Sequence, residues 1–71
     1  MKKAISETTR KNAKKAKKKY FIEEVTEKCK TMFRCYRKYD CSLVCEAPST
    51  EMLFRQLVKD GYVAKDIDII L

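Results

Sequence analysis

The sequence predicts a small, single-domain α+β fold that begins with a basic N-terminal arm. Two patterns predict the α+β class: apolar and polar residues alternate in the middle of the chain, as in strands, and apolar residues recur at helical spacing in the last third. Charge predicts the arm, because nine of the 17 lysines and arginines lie in residues 1–19, against the single acid Glu7. We therefore expect an arm over residues 1–19, helical or disordered, and a compact α+β body over residues 20–71.

The arm is expected to form a marginal helix. Ser6 can cap it, and alanine, lysine and glutamate are good helix formers. Its apolar stripe at helical spacing is thin and consists of Ile5, Thr9, Ala13, Ala16 and Tyr20. Like charges repel along such a helix, so we expect it to be partly melted until a partner supplies counter-charge, and to dock weakly on the body.

The middle of the chain supports two interpretations. In the favoured one, a helix to about residue 27 precedes a β-hairpin with strands near 30–36 and 41–46, because Thr-Met-Phe-Arg-Cys-Tyr and Cys-Ser-Leu-Val-Cys suit a pleated surface. The segment Arg-Lys-Tyr-Asp at 37–40 is then a turn without glycine. In the alternative, a mostly α protein, one long N-terminal helix continues to about residue 39. Its apolar residues recur at steps of three and four: Ile22, Val25, Cys29, Met32, Tyr36 and Tyr39.

The last third predicts a helix and a final strand. Pro48 ends the preceding strand, Ser49 or Thr50 caps a helix over 50–60, and Gly61 stops it. The buried stripe of this helix is Leu53, Phe54, Leu57 and Val58, and the alternating residues of the strand are Val63, Ile67, Ile69 and Leu71. A connection of this length predicts that the last strand runs parallel to the second hairpin strand. The result is a three-stranded sheet with one or two helices on one face.

Composition argues against several kinds of catalysis. The chain has no histidine, so it offers no imidazole base and no Cys-His pair. Its single glycine excludes a glycine-rich phosphate loop. The carboxylates are more typical of solvated surface groups than of an acid–base pair. We expect a protein that is not an enzyme and needs no cofactor.

The distribution of apolar residues predicts the compartment. Polar residues occupy positions 6–10, where a secretory signal needs an apolar stretch, and no apolar run approaches the length of a membrane span. We therefore expect an intracellular protein, cytoplasmic or nuclear, that does not contact a membrane.

Four cysteines lie at odd positions, so a hairpin would place all of them on one face as small core residues. They are Cys29, Cys35, Cys41 and Cys45. Core filling is the favoured interpretation, since free cysteine is among the most buried residue types. A zinc site formed by all four is an alternative that their spacing disfavours, because zinc ligands usually come in pairs two to four residues apart. A disulfide between Cys35 and Cys41 is the other alternative.

The basic residues are the main functional signal. Residues 1–19 carry a charge of +8, whereas residues 20–71 sum to −1, and such a block is typical of a surface that meets an anionic partner. Lysine predominates over arginine in the arm, which predicts phosphate contacts without base specificity. The predicted contact residues are Arg10, Lys11, Lys14, Lys15, Lys17, Lys18, Lys19, Arg34, Arg37 and Lys38. Tyr36 and Tyr39 beside them are suited to stacking on an unpaired base.

Two functional hypotheses follow. The first is a small nucleic-acid-binding accessory protein, not an enzyme, whose lysine-rich arm contacts the phosphate backbone. The alternative is a stoichiometric inhibitor or adaptor, of the kind made by phages and mobile elements, that binds an acidic surface of a larger protein. An exposed sheet edge would also allow a homodimer.

Overall fold

The predicted α+β class is confirmed: this computed structural model, which describes residues 6–70, contains two helices and a four-stranded mixed sheet. The elements are α1 (Glu7–Lys15), β1 (Tyr20–Glu27), β2 (Lys30–Arg37), β3 (Leu43–Ala47), α2 (Thr50–Lys59), a 3-10 turn (Ala64–Asp66) and β4 (Ile67–Ile70). Ile5 of the predicted arm stripe and Leu71 of the predicted final strand lie outside the described residues. Neither helix of the described part is long and apolar enough to cross a membrane.

The sheet contains one strand more than the sequence predicted, because residues 20–27 form a strand. β1 lies between β2, to which it is antiparallel, and β4, to which it is parallel, in the order β3-β2-β1-β4. Phe21 and Ile22 are adjacent and both fully buried. Neighbouring residues of a strand point to opposite faces, so β1 is a central strand that is covered on both sides. The predictions of a helix to about residue 27 and of one long helix to about residue 39 were therefore wrong.

The two helices cover opposite faces of the sheet, whereas the sequence predicted helices on one face. α2 covers the face that carries Ile22 and Cys35. α1 covers the face that carries Phe21, through Ala13 and Ala16, and Ala16 is only 2% exposed. Thr9, Ala13 and Ala16 of the stripe that was expected to dock weakly are thus buried, and their small side chains let the backbone approach the sheet closely. Tyr20, also predicted in that stripe, instead begins β1 and packs in the cluster under α2.

The C-terminal part contains the predicted helix and final strand, although the strand begins at Ile67 and leaves out Val63. Ser49 is the N-cap of α2, and its hydroxyl accepts a hydrogen bond from the backbone N–H of Met52. Leu53 and Leu57 of the predicted stripe are fully buried, whereas Val58, also predicted there, is 60% exposed. Gly61 follows it with a φ of 96°, the left-handed conformation typical of a helix C-terminus. β4 runs in the same direction as β3, as predicted, but it pairs with β1 at the opposite edge of the sheet.

The four cysteines do not share one face. Cys35 is fully buried and lies directly opposite Cys45 on β3, on the face that α2 covers. A bulge follows this pair, with Val44 as its extra residue, and it moves Cys41 to the cluster under α1. Cys29 lies exposed in the turn between β1 and β2. Within residues 6–70 no three potential metal ligands come together, and the cross-strand neighbour of Cys35 is Cys45, not Cys41.

Candidate nucleic-acid interface

The outer side of α1 carries the first part of the predicted basic surface. Thr9 and Ala13 are the buried residues of the helix. Because a helix repeats every 3.6 residues, burying this side turns the remaining positions outward. The cations on the outward side are Arg10, Lys11, Lys14 and Lys15, and all four are exposed. Lys14 and Lys15 also lie in the last helical turn, where positive charge favours the helix dipole.

The lysine segment 17–19 connects α1 to β1 and is held in place by its backbone. The helix ends at Ala16, which is extended and donates its N–H to the carbonyl of Asn12 at 2.9 Å. The N–H of Lys17 donates to the Asp68 carboxylate at 3.0 Å. The carbonyl of Lys19 accepts a 2.9 Å hydrogen bond from the N–H of Lys38. The backbone of this segment is therefore fixed at both ends, while the three lysines are exposed.

The turn between β2 and β3 lies beside this segment. Together they form a shallow depression lined by Lys17, Lys18, Lys19, Lys38, Tyr39 and Asp66. Four of its six lining residues are lysines, so a phosphate placed there would meet several cations and one carboxylate. We call this depression, together with the outward side of α1, the basic surface.

Ion pairing and main-chain hydrogen bonds fix the geometry of the β2–β3 turn. The Arg37 guanidinium donates to both carboxylate oxygens of Asp40, at 3.0 and 2.7 Å, and the N–H of Ser42 donates to the same carboxylate at 3.1 Å. These bonds, from Arg37 first and then from Ser42, hold the pKa of the Asp40 carboxyl well below its usual range. Cys41, with a φ of 58°, adopts the left-handed conformation that glycine would otherwise supply. The predicted turn at 37–40 is confirmed.

Arg34 and Arg37 contribute less to the basic surface than the sequence suggested. Arg34 points to the side that α1 covers, where it pairs with Glu46 at 2.8 Å and lies 3.8 Å from Glu27. The hydrogen bond from Arg34 to Glu46 is the main cause of its raised pKa. Arg37 lies on the opposite face and is neutralised by Asp40. Both guanidinium groups therefore already have carboxylate partners within the protein.

The two tyrosines named as stacking candidates differ in exposure. The Tyr36 ring stacks on Phe21, with ring centroids 5.5 Å apart and 25° between the planes, and is half-buried. The Tyr39 side chain is 92% exposed. Only Tyr39 therefore presents an open ring face beside the lysines.

Glu23 was expected, with the other carboxylates, to be a solvated surface group, and for this residue the expectation was wrong. It is only 5% exposed on β1, and its two carboxylate oxygens accept hydrogen bonds from Thr9 at 3.0 Å and Asn12 at 3.1 Å. Both partners lie on α1, so this carboxylate holds the helix and its basic side in position. The spacing in the sequence could have indicated its burial: Glu23 lies two residues after the apolar Phe21, so in a strand both side chains share one face. In the structure α1 covers that face.

Comparison with protein-family models, with curated proteins and with solved structures found no match for this chain. Its function is therefore inferred from the chemistry and placement of its own residues.

Proposed function

We propose that this chain is a nucleic-acid-binding accessory protein, not an enzyme, that contacts the phosphate backbone through its basic surface. The observation that carries the proposal is that seven cations on α1 and the following segment are exposed and form no ion pair within residues 6–70. They are Arg10, Lys11, Lys14, Lys15, Lys17, Lys18 and Lys19, and all are exposed. Among residues 6–70, none of the seven side-chain charged groups lies within 4.0 Å of a carboxylate oxygen. Such unpaired charges are available to an external anion.

The dimensions of this surface suit a phosphate chain. α1 has nine residues and is about 14 Å long, a distance over which duplex DNA presents about eight phosphate charges. Lysine ammonium groups attract these charges as point charges without reading base edges. Binding of this kind is driven by release of condensed counterions. With about six contacts, affinity should fall by about 10³-fold between about 50 and about 200 mM salt.

The test is a fluorescence-anisotropy titration of the full chain against a labelled duplex and a labelled single strand, at these two salt concentrations. The test variant replaces Lys11, Lys14, Lys15 and Lys18 by glutamine. The control variant replaces four lysines that are also exposed but lie elsewhere, Lys28, Lys30, Lys59 and Lys65, by glutamine, so the net charge changes by the same amount. Neither variant deletes α1, which matters because α1 is part of the folded structure.

We expect the test variant to lose most of its affinity and to show a shallower salt dependence, and the control variant to bind almost as the wild type does. Equal losses in both variants would mean that net charge, not this surface, governs binding. Absence of binding by the wild-type chain at low salt would overturn the proposal.

The competing proposal is an inhibitor or adaptor that binds an acidic protein surface. Its specific support is that β3 and β4 are both edge strands, so each leaves backbone groups that a partner strand can pair with. The same edges would serve a homodimer. Recovery of one acidic protein from nuclease-treated lysate, together with no binding to either oligonucleotide, would favour this alternative. For either function we propose an intracellular setting, since the four cysteines are unpaired and reducing compartments keep thiols in that state.

A further inference from the structure

We propose that Tyr39 stacks on an unpaired base, so that the basic surface prefers single-stranded nucleic acid to a duplex. This inference rests on the proposed function and deepens it by naming the class of ligand. Its starting point is the exposure of the ring. Tyr39 is 92% exposed, the highest value among the large apolar residues that the structure leaves exposed.

The other three tyrosines pack against the core, whereas Tyr39 does not. Tyr20 and Tyr62 pack edge to face, with ring centroids 5.0 Å apart, and Tyr36 stacks on Phe21. All three are half-buried against the core clusters. Tyr39 has no such role in packing. An aromatic ring kept in water at this position is therefore available to a ligand.

The backbone that carries the ring is held on both sides. The N–H of Lys38 is bonded to the carbonyl of Lys19, and the N–H of Cys41 donates to the carbonyl of Arg37 at 2.7 Å. The ion pair between Arg37 and Asp40 closes the turn. Tyr39 thus projects from a defined turn, so that a ligand needs to order little more than the side chain, which lowers the entropic cost of binding.

The surroundings of Tyr39 suit a nucleotide. Lys17, Lys18 and Lys19 line the same depression as the ring, so that phosphates on either side of a stacked base would meet cations. An aromatic face next to a cationic groove is the usual combination in proteins that bind single strands with little sequence preference. In a duplex the base faces are already stacked on each other, so Tyr39 would add little to duplex binding. The ring therefore discriminates between the two forms.

The test compares the wild-type chain with Tyr39→Ala and Tyr39→Phe. Tyr39→Phe is the matched control, because it keeps the aromatic face and removes only the hydroxyl. Three labelled probes of equal length are titrated at low salt: a mixed-sequence single strand, the corresponding duplex, and a single strand made of abasic sites, which has phosphates but no bases. Circular dichroism and thermal unfolding test whether the variants are folded. We expect that they are, because the Tyr39 side chain is exposed.

We expect Tyr39→Ala to weaken binding to the mixed-sequence single strand by roughly 5- to 100-fold, and to leave binding to the duplex and to the abasic strand within about twofold of wild type. Tyr39→Phe should bind all three probes as the wild type does. If Tyr39→Ala binds the single strand normally, or weakens all three probes equally, the stacking inference is overturned while the phosphate-binding proposal survives. If the wild-type chain binds none of the probes, both proposals fail.

Discussion

The Lys38 ammonium group, on the turn between β2 and β3, donates a 2.7 Å hydrogen bond to the main-chain carbonyl oxygen of Ala13 in α1. The last four carbonyl groups of a helix lack partners within the helix, and positive charge is favourable at this end. Lys38 therefore helps to fix the C-terminal end of α1 as well as lining the depression beside Tyr39. A residue that the sequence predicted only as a phosphate contact thus has a structural contact of its own.

Replacing Lys38 by methionine is expected to lower the free energy of unfolding by about 1–2 kcal/mol, because a charge-assisted hydrogen bond to a helix end is lost while the apolar stem is kept. Urea denaturation measures this change. Lys18→Met is the matched control, since Lys18 is exposed and its side chain makes no hydrogen bond within residues 6–70. Equal stability of the two variants would show that the Lys38 contact contributes nothing.

Glu23 is expected to be the polar residue on which docking of α1 depends most. Glu23→Ala leaves Thr9 and Asn12 without their carboxylate partner and should lower the free energy of unfolding by about 2–3 kcal/mol. It should also speed tryptic cleavage at the lysines of α1, which mass spectrometry of timed digests would detect. The neighbouring Glu24 offers a close control, because it is exposed and points to the other face of the sheet. Glu24→Ala should change stability by less than about 0.5 kcal/mol. Similar losses in both variants would contradict the role given to Glu23.

Elements whose structure depends on residues nearby in the sequence were predicted better than elements whose structure depends on distant parts of the chain. α2 was predicted well because Ser49, the buried stripe and Gly61 lie within or beside the helix itself. β1 was missed because a central strand buried on both faces loses the alternation that marks a strand; Phe21 and Ile22 are both apolar. Glu23 and Glu24 follow these two apolar residues, and this order resembles a helix with one apolar and one charged side.

The candidate site shows the same division. The exposure of the lysines on α1 follows from the helical period, which the sequence displays directly. Neutralisation of Arg34 by Glu46 depends on the register between β2 and β3, and the contact of Lys38 with Ala13 depends on which face α1 covers. The spacing of residues within one element predicts neither the register between two strands nor the sheet face that a helix covers. These contacts are therefore seen only in the folded structure.

Acidification is expected to loosen the β2–β3 turn at low pH. The pKa of Asp40 is lowered in the folded protein, chiefly by hydrogen bonds from Arg37. A lowered pKa means that this contribution to stability is present above the ordinary aspartate pKa of about 3.9, and is lost as the pH falls through the lower folded value. NMR titration of the side-chain carboxyl carbon of Asp40 should therefore give a midpoint clearly below about 3.9.

The variant Arg37→Gln provides the comparison for this titration. Its Asp40 midpoint should rise towards the ordinary value but stop short of it, since the N–H of Ser42 still donates to the carboxylate. High salt should raise the wild-type midpoint as well, because the pair is exposed and therefore screened. An identical midpoint in wild type and Arg37→Gln would show that the guanidinium is not the cause of the shift.

The cysteines are expected to react with a thiol reagent in an order set by exposure and ionisation. The thiolate is the reactive form, and burial, with a smaller effect from Cys45, raises the pKa of Cys35 to about 12. Burial also raises the pKa of Cys45. Cys29 is exposed in its turn. Iodoacetamide at neutral pH should therefore label Cys29 first and Cys35 last, as peptide mass spectrometry of timed samples would show.

Labelling in denaturant is the control for this order, because all four thiols should then react at similar rates. In native Glu23→Ala, the difference in labelling rate between Cys29 and Cys35 should shrink if detachment of α1 unfolds the whole sheet. It should persist if only α1 detaches, because Cys35 lies on the face that α2 covers. Rapid native labelling of Cys35 in the wild-type protein would contradict the packing of α2 on β2. The reactivity of this one thiol therefore reports on the integrity of the α2 face separately from the face that carries the basic surface.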